Sequence, residues 1–221
     1  MRLIVFDFDG TLVDSRDLIL ECHRSVFTEF GLALPSPQDT LALIGRSLEL
    51  VLAQLAGPQA PIQDMVRAYG RVLSQLRADP AFVERPFDGI ADLLRDLSGL
   101  SRAALGIATG HTSSAVIPAL EALGWRQYFR TIQAADMAPS KPHPGMLLQA
   151  LEATGAKAEE AVFIGDTSFD MEMARAAKFG AIGVAWGYHT AECVFAAGAH
   201  RVVRTVEELR GFLRHGNGTS P

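Results

Sequence analysis

The sequence predicts an α/β fold in which a parallel β-sheet, covered by helices on both faces, is interrupted by an all-helical insertion. Three observations support this prediction. Short apolar runs, partly β-branched, recur along the chain and are typical of buried strands. In the second half of the chain these runs alternate with stretches of helical spacing, which is the pattern of a parallel sheet. Between positions 15 and 85, apolar residues recur at helical spacing and no strand pattern is found.

Six apolar runs are the predicted strands. They are Leu3–Phe8, Ala103–Ala108, Thr131–Ala134, Ala161–Ile164, Ala181–Ala185 and Arg201–Val203. The later strands are separated by predicted helices at Ser113–Leu123, Pro144–Thr154, Ser168–Lys178, Ala191–Ala197 and Val206–Leu213. Three of these helices are followed by a glycine, as expected for helix C-caps: Gly124, Gly155 and Gly180.

The segment 15–85 is predicted to be a separate helical domain. Leu18, Cys22 and Val26 lie at helical spacing, and prolines divide the segment into several helices. Residues 1–14 and 86–213 would form the α/β domain, and 214–221 would be a loose tail. An insertion after the first strand is expected to lie over the carboxyl ends of the strands, where open α/β sheets bind ligands.

Composition excludes several classes of function. A formal net charge of -5 provides no basic face for nucleic acid. The two cysteines, Cys22 and Cys193, are far apart and lack metal-ligand spacing, so reduced thiols are expected. We find no signal peptide and no apolar run of the roughly 20 residues that span a bilayer. We therefore expect a cytoplasmic protein with neither a membrane nor a nucleic acid as partner.

Two acids lie at the end of the first predicted strand, in the segment DFDGTLVD at 7–14. Residues two apart on a strand point the same way, so Asp7 and Asp9 would face one site while Phe6 and Phe8 face the core. Two close carboxylates repel each other unless a cation or a proton intervenes. A plain turn would explain acids and a glycine after a strand, but not acids within an apolar run.

Two further strand ends carry groups suited to phosphate. Thr109 offers a hydroxyl and Gly110 a backbone amide, which together can hold phosphate oxygens, although a helix N-cap is an equally good interpretation. Lys141 is one of three lysines and is followed by a proline, and its ammonium would suit a phosphate dianion. The alternative for Lys141 is a solvated surface lysine.

The fourth strand end carries Asp166, with Asp170 four residues later in the first turn of the next helix. Hard carboxylate oxygens suit Mg²⁺, which uses few protein ligands. The alternative is that Ser168 and Asp170 only cap this helix, and the two roles are compatible.

In order and spacing, these four segments resemble the motifs of the haloacid dehalogenase superfamily. The helical insertion resembles its first-type cap, and the implied core is Rossmann-like. The segments SKPHPGML at 140–147 and VAWGYH at 184–189 are similar to those of phosphoglycolate-phosphatase-type members. Gly110 and His111 depart from the pattern, since many relatives carry Asn and Lys there.

The resemblance implies a phosphatase that forms a covalent aspartyl-phosphate. Asp7 would be the nucleophile, and Asp9 would protonate the leaving alcohol and then deprotonate the attacking water. The acidic neighbours of Asp9 are expected to favour its protonated form.

The same resemblance assigns the cofactor and the phosphate contacts. Mg²⁺ would be held by the carboxylates of Asp7 and Asp166 and the carbonyl of Asp9, with Asp170 in support. The phosphate oxygens would contact Thr109, Gly110 and Lys141.

The cap would select the substrate, which is expected to be a small phosphorylated metabolite. The protein itself is expected to be a monomer or a homodimer. Arg46, in a break between predicted helices, could meet the carboxylate of a substrate such as phosphoglycolate; a solvated arginine is the alternative. His23 is interpreted as a packed or surface histidine. No proton-transfer role is assigned to His111, His143 or His189.

Three other functions use similar residues. A dehalogenase on this fold needs Asp7 but no second acid, so Asp9 and Asp166 disfavour it. A sugar phosphomutase would share every core residue and differ in the cap. A phospho-acceptor signalling domain also uses clustered acids, a Thr and a Lys, but it is shorter, lacks the insertion and has its acceptor in mid-chain.

Overall fold

The computed structural model describes residues 2–215 and has a six-stranded parallel sheet at its centre. The strands are β1 (Arg2–Phe6), β2 (Val13–Asp14), β3 (Arg85–Pro86), β4 (Ala103–Ala108), β5 (Phe129–Gln133), β6 (Ala161–Gly165), β7 (Gly180–Val184) and β8 (Arg201–Val203). The large sheet has the order β5-β4-β1-β6-β7-β8, and every neighbouring pair is parallel. The predicted fold class is confirmed.

Ten α-helices accompany the sheets in the described part of the chain. They are α1 (Arg16–Glu29), α2 (Pro37–Leu41), α3 (Leu48–Ala56), α4 (Ile62–Arg77), α5 (Ile90–Ser98), α6 (Ser113–Ala122), α7 (Gly145–Thr154), α8 (Ser168–Ala176), α9 (Ala191–Ala196) and α10 (Val206–His215). Alternate residues of β1 enter different cores: Ile4 and Phe6 pack with α5, α6 and α10, whereas Leu3 and Val5 pack with α7, α8 and α9. The sheet is therefore buried on both faces, which explains why its strands are apolar throughout.

Helix α5 was not predicted from the sequence. Its buried residues Ile90, Leu93, Leu94 and Leu97 follow helical spacing, so the sequence does carry a local signal for this helix. The structure also adds the two-residue antiparallel pair of β2 and β3, which was not predicted and borders the two ends of the segment 15–85. A strand of two residues is too short to show an alternating or apolar sequence pattern. The pairing of β2 with β3 therefore depends on tertiary contact.

Helices α1 to α4 have an apolar core of their own. It consists of Leu18, Cys22, Val26, Phe27, Leu52, Met65, Ala68, Tyr69 and Leu73. We call these four helices and their connections the cap. It contacts the α/β part where the Ser47 amide donates to the Ser140 hydroxyl at 2.7 Å and where Arg77 donates to the Ala115 carbonyl at 2.8 Å.

Within residues 2–215, no helix combines the length and the apolar character needed to span a bilayer. Both cysteines are free thiols, Cys22 buried and Cys193 exposed. The loose tail was predicted to begin at position 214, which is wrong for Arg214 and His215 because both belong to α10. The rest of the predicted tail, from position 216 onward, lies outside the described residues.

Candidate active site

The carboxyl ends of the central strands bring the predicted site residues together. Asp7 follows β1, Thr109 follows β4 and Asp166 follows β6, while Lys141 lies in the connection from β5 to α7. From β1 the chain proceeds to β4 and β5 on one side of β1 and then returns to β6 on the other side. Such a reversal leaves a crevice at the carboxyl ends of the strands, and all four side chains are buried there.

Lys141 is a buried cation rather than a solvated surface lysine. Its side chain is about 1% exposed, and its ammonium lies 2.8 Å from Asp7 Oδ1 and 2.7 Å from Asp170 Oδ1. Burial alone would lower the pKa of Lys141, but the charges of Asp170 and Asp7 outweigh it and raise this pKa. The site therefore holds a fixed positive charge.

Three buried carboxylates face this single ammonium. Oxygens of Asp7, Asp166 and Asp170 all lie within 4.8 Å of one another. Burial raises the pKa of Asp7 well above its usual range, and burial together with Asp170 raises the pKa of Asp166 to about 7. If all three acids are ionised, two negative charges remain uncompensated, so the cluster needs protons or a cation.

A divalent cation fits this cluster. Asp7 Oδ2 is buried and has no hydrogen-bond partner among residues 2–215, so one hard oxygen of the cluster is unused. Carboxylate oxygens at this density suit Mg²⁺, and its two charges would balance the excess. The residues present therefore match the expected metal.

The carboxylate of Asp166 is held in place from two sides. The Thr11 hydroxyl donates to Asp166 Oδ1 at 2.8 Å, and the Tyr188 amide donates to Oδ2 at 2.9 Å. Gly10 adopts a φ of +73°, and a Cβ on either Gly10 or Gly187 would lie within about 2.3 Å of an Asp166 atom. Glycines here let two backbone segments close around this one carboxylate.

Asp170 uses both of its oxygens within the protein. Oδ1 accepts from Lys141 at 2.7 Å, and Oδ2 accepts from the Thr167 amide at 2.9 Å and the Thr167 hydroxyl at 2.8 Å. Thr167 and Asp170 form a capping box at the start of α8. The interpretation of Ser168 as the cap is therefore wrong, while capping by Asp170 coexists with its place beside Lys141.

The neighbours of Asp9 lower its pKa, contrary to the expectation from sequence. Its Oδ1 accepts from the Ser15 hydroxyl at 2.5 Å, and its Oδ2 lies 2.7 Å from His111 Nε2. Burial raises the pKa of Asp9, but the His111 charge and the Ser15 hydroxyl outweigh it and leave this pKa lowered. Burial lowers the pKa of His111, but the charge of Asp9 raises it by more, so this pKa increases overall. His111, rather than an acidic neighbour, therefore dominates the pKa of Asp9, and the pair favours an ionised Asp9 beside a charged His111.

Sequence reasoning missed three polar groups around Asp9. They are Ser15, His111 and Tyr188, whose hydroxyl lies 3.1 Å from both the amide and the hydroxyl of Ser15. The position of His111, two residues after Thr109 at a strand end, could have identified it. No local signal connects Ser15 with Tyr188, because 173 residues separate them.

The loop after β4 lies directly under the cap. Thr112, and neither Thr109 nor Gly110, is the N-cap residue of α6, so the N-cap interpretation is wrong. Thr109 is fully buried, and its hydroxyl accepts from the His111 amide at 3.2 Å. A Cβ on Gly110 would lie 2.4 Å from the Arg46 carbonyl oxygen, so the absence of a side chain lets the cap loop approach.

Arg46 is half-buried at the cleft between the cap and the α/β part. Its guanidinium donates to Gln54 Oε1 at 2.8 Å and lies 5.5 Å from the centre of the Phe169 ring. Arg46 and Asp9 line the same cavity, which has a volume of about 460 Å³. In the described part of the chain no carboxylate forms a salt bridge with Arg46. Its charge is available to a ligand, and it is not a freely solvated arginine.

Comparison with known proteins is consistent with this geometry. A family model described as haloacid dehalogenase-like hydrolase matches residues 4–184. A relative from Dickeya dadantii, named probable phosphatase IndB, is 34% identical over 95% of this chain and 92% of its own length. A phosphoglycolate phosphatase of Agrobacterium fabrum is 31% identical over 84% of this chain and 81% of its own length. A haloacid dehalogenase-like hydrolase structure from Streptococcus pneumoniae matches with a TM-score of 0.82 and 27% identity, covering 96% of this chain and 98% of its own.

Proposed function

The chain belongs to the haloacid dehalogenase-like hydrolase family, and we propose that it is a Mg²⁺-dependent phosphatase that hydrolyses a small phosphomonoester through an aspartyl-phosphate on Asp7. One observation carries the proposal. Asp7 has a buried carboxylate oxygen without a partner in residues 2–215, and it lies beside a buried ammonium and two further acids. Such a group is suited to attack phosphorus where the charge of a dianion is compensated.

In the first step, Asp7 attacks phosphorus and the bond from phosphorus to the ester oxygen breaks. Asp7 Oδ1 is already oriented by the Phe8 amide at 2.7 Å and by Lys141 at 2.8 Å. Lys141, the Thr109 hydroxyl and the Gly110 amide would stabilise the phosphoryl oxygens. Asp9 would deliver a proton to the leaving oxygen, and His111, whose Nε2 lies 2.7 Å from Asp9 Oδ2, would first pass that proton to Asp9.

In the second step, water attacks the aspartyl-phosphate and regenerates Asp7. Asp9 would now accept the proton of that water, which its lowered pKa permits. Ser15 and His111 fix the two oxygens of Asp9 and so hold it in one orientation for both steps.

The metal would be held by Asp7, Asp166 and the backbone carbonyl of Asp9, with Asp170 acting in support through its contact with Lys141. Bound there, Mg²⁺ would neutralise the acids and compensate the charge of the phosphate. Thr11 and the Tyr188 amide would keep Asp166 in its ligating orientation.

The proposal extends to the organisation and setting of the protein. Residues 15–85 would act as a cap domain on a catalytic domain of residues 1–14 and 86–213. Arg46 would contact an anionic group of the substrate, and a carboxylate as in phosphoglycolate is one such group. We propose a cytoplasmic enzyme, monomeric or homodimeric, that acts on a small metabolite.

The test is phosphate release from a panel of phosphate esters, with Mg²⁺ and with excess chelator. We expect turnover only with Mg²⁺, and intact-protein mass should detect a phosphoenzyme in wild type but not in Asp7→Asn. Full turnover in chelator would refute the metal assignment. Interconversion of sugar phosphates would instead indicate a mutase. A stable phospho-protein without turnover of any ester would indicate a signalling domain.

A further inference from the structure

The cavity beside Asp9 extends from the catalytic end of the sheet into the cap. Its volume is about 460 Å³, and its walls come from α1, α3 and α4, from the Gly45–Arg46 loop, and from the start of α6. Pockets of about 300–1,000 Å³ hold ligands of drug-like size. A two-carbon hydroxy acid such as glycolate would fill only a small part of this space.

Most of the cap-side wall is apolar. Ile19, Val51, Val66 and Leu73 line it, and Pro118 lies on the opposite side. Apolar walls favour a ligand body that carries apolar surface, because water is released when the two surfaces meet.

The one arginine deep in this wall is not free for an anion. Arg77 donates from Nε and Nη2 to the Glu84 carboxylate at 2.9 and 2.8 Å, and from Nη1 to the Ala115 carbonyl at 2.8 Å. Its charge is therefore already balanced by a carboxylate. Of the arginines that line the cavity, only Arg46, on the loop near Gly110, has no carboxylate partner in the described part of the chain.

His23 is one of the residues that line this cavity, and its ring carries an unused hydrogen-bond acceptor. It is about 4% exposed, and its Nδ1 lies 2.9 Å from the Ile19 carbonyl oxygen, which can only accept. Nδ1 therefore carries the proton, and Nε2 has a lone pair. Nε2 is buried and has no partner among residues 2–215. Burial lowers the pKa of His23, which keeps the ring neutral.

Gly70 is an exposed residue that lines the cavity on the cap side. It lies within the 16-residue helix α4, where glycine costs about 1 kcal/mol relative to alanine. Its φ is not in the left-handed region, and a Cβ built on it would meet no atom within 4 Å. Neither backbone conformation nor close packing requires this glycine, and Gly70 lines the cavity.

We propose that this cavity binds the leaving alcohol of the substrate, and that this alcohol is larger than glycolate and mainly apolar, with an O–H or N–H that donates to His23 Nε2. The inference rests on the proposed phosphatase function and specifies its substrate class. The size of the alcohol is then selected by Gly70, Leu73 and Val66. His23 selects an alcohol that carries a hydrogen-bond donor.

The first test compares phosphorylated compounds whose leaving groups differ in size, in charge or in one hydrogen-bond donor. Wild type is assayed with Mg²⁺ on acetyl phosphate, phosphoglycolate, benzyl phosphate and benzyl phosphates that carry a hydroxymethyl group at successive ring positions. We expect kcat/KM for the best benzyl ester to exceed that for phosphoglycolate at least tenfold. A preference for phosphoglycolate overturns the inference while leaving the phosphatase proposal intact, whereas no hydrolysis of any compound overturns both.

The second test changes the size of the cavity. Gly70→Leu should lower kcat/KM for the benzyl esters at least tenfold more than for acetyl phosphate, because the added side chain occupies the space of the alcohol. Arg67→Leu adds the same residue to the exposed side of α4, away from the cavity, and should leave both activities unchanged. Equal losses on both substrates in Gly70→Leu overturn the assignment of the cavity.

The third test addresses His23. In His23→Phe, kcat/KM for the best hydroxymethyl ester should fall by about 3- to 10-fold relative to kcat/KM for benzyl phosphate. A loss of this magnitude corresponds to the free energy of one hydrogen bond between neutral groups. His23→Gln keeps an acceptor and should restore part of this ratio. A ratio that is the same in wild type and both variants overturns the role of His23 as acceptor.

Discussion

The two sides of the cleft differ in how they treat polar groups. On the sheet side, Asp7, Lys141 and Asp170 are buried within contact distance of one another, and Asp166 is held by two donors. On the cap side, the wall is mainly apolar, Arg77 is internally paired, and one neutral histidine nitrogen is left without a partner in the described residues.

The difference indicates a division of roles. Charges in a buried site interact strongly over a few ångströms, so the sheet side would determine what happens to a phosphoryl group whatever alcohol it carries. Apolar walls select by size and shape, and each methylene changes binding by about 1 kcal/mol. Changes on the sheet side should therefore affect every substrate, and changes on the cap side only some.

The largest effect is expected for Asp7→Asn, on the sheet side. Without the nucleophilic carboxylate no phosphoenzyme forms, so hydrolysis of alkyl and aryl phosphates alike should fall to background. Intact-protein mass after rapid mixing provides the measurement, and circular dichroism confirms that the variant is folded. A burst of alcohol from this variant would show that Asp7 is not the nucleophile.

A second sheet-side variant, Asp9→Asn, should separate the two aspartates. Loss of the acid and base should cost about 10²–10⁴ in rate for an alkyl phosphate. An aryl phosphate hardly needs protonation of its leaving group, so its first step should suffer less. The phosphoenzyme should then accumulate on Asp7 with a burst of phenol. Equal losses for aryl and alkyl phosphates would contradict these roles.

On the cap side, Arg46→Ala should discriminate between substrates. If Arg46 pairs with a substrate carboxylate, losing that charge-assisted contact costs about 1.5–3 kcal/mol, or roughly 10- to 150-fold in kcat/KM for acidic esters. Neutral aryl phosphates should change much less. Arg67→Ala, on the exposed face of α4, serves as the control. Equal losses on acidic and neutral esters would leave Arg46 with a structural role only.

Metal binding on the sheet side should depend on pH in a defined direction. Because the pKa of Asp166 is raised from 3.8 to about 7, folded protein without metal binds this proton more tightly than unfolded chain. The contribution of Asp166 to the stability of the folded protein therefore falls as pH rises from 3.8 to about 7. Mg²⁺ competes with that proton, so the gain in Tm on adding Mg²⁺ should be larger at pH 8 than at pH 5.5. In Asp166→Asn the gain should be small at both pH values; a gain as large as in wild type would contradict the site.

The smallest effect is expected for the ion pair between Asp9 and His111. The pKa of Asp9 is lowered from 3.8, so its contribution to stability is lost as pH falls through the folded value. The pKa of His111 is raised from 6.5, so its contribution is complete below 6.5 and is lost as pH rises through the folded value. The Tm difference between wild type and His111→Gln, in chelator, should be greatest near pH 5 and shrink above pH 7. A difference that grows with pH would contradict the pairing.

The strands and most helices were predictable because their signal is local. A buried parallel strand is an apolar run, and an amphipathic helix shows its period within a few turns. Helix α5 has the same local signal and could have been predicted from Ile90, Leu93, Leu94 and Leu97. The end of β1 at Phe6 and the pairing of β2 with β3 depend on neighbouring segments and were not predictable.

The sequence by itself determined the fold class and which residues stand at the strand ends, because parallel strands bring their carboxyl ends to one edge wherever their neighbours lie. Only the tertiary structure decided which groups meet there. It placed His111 rather than another acid against Asp9, reversed the expected direction of the Asp9 pKa, and connected Tyr188 with Ser15 across 173 residues. The physical reason is that pKa values and hydrogen bonds depend on distances of a few ångströms and on burial, and chain separation does not encode either quantity.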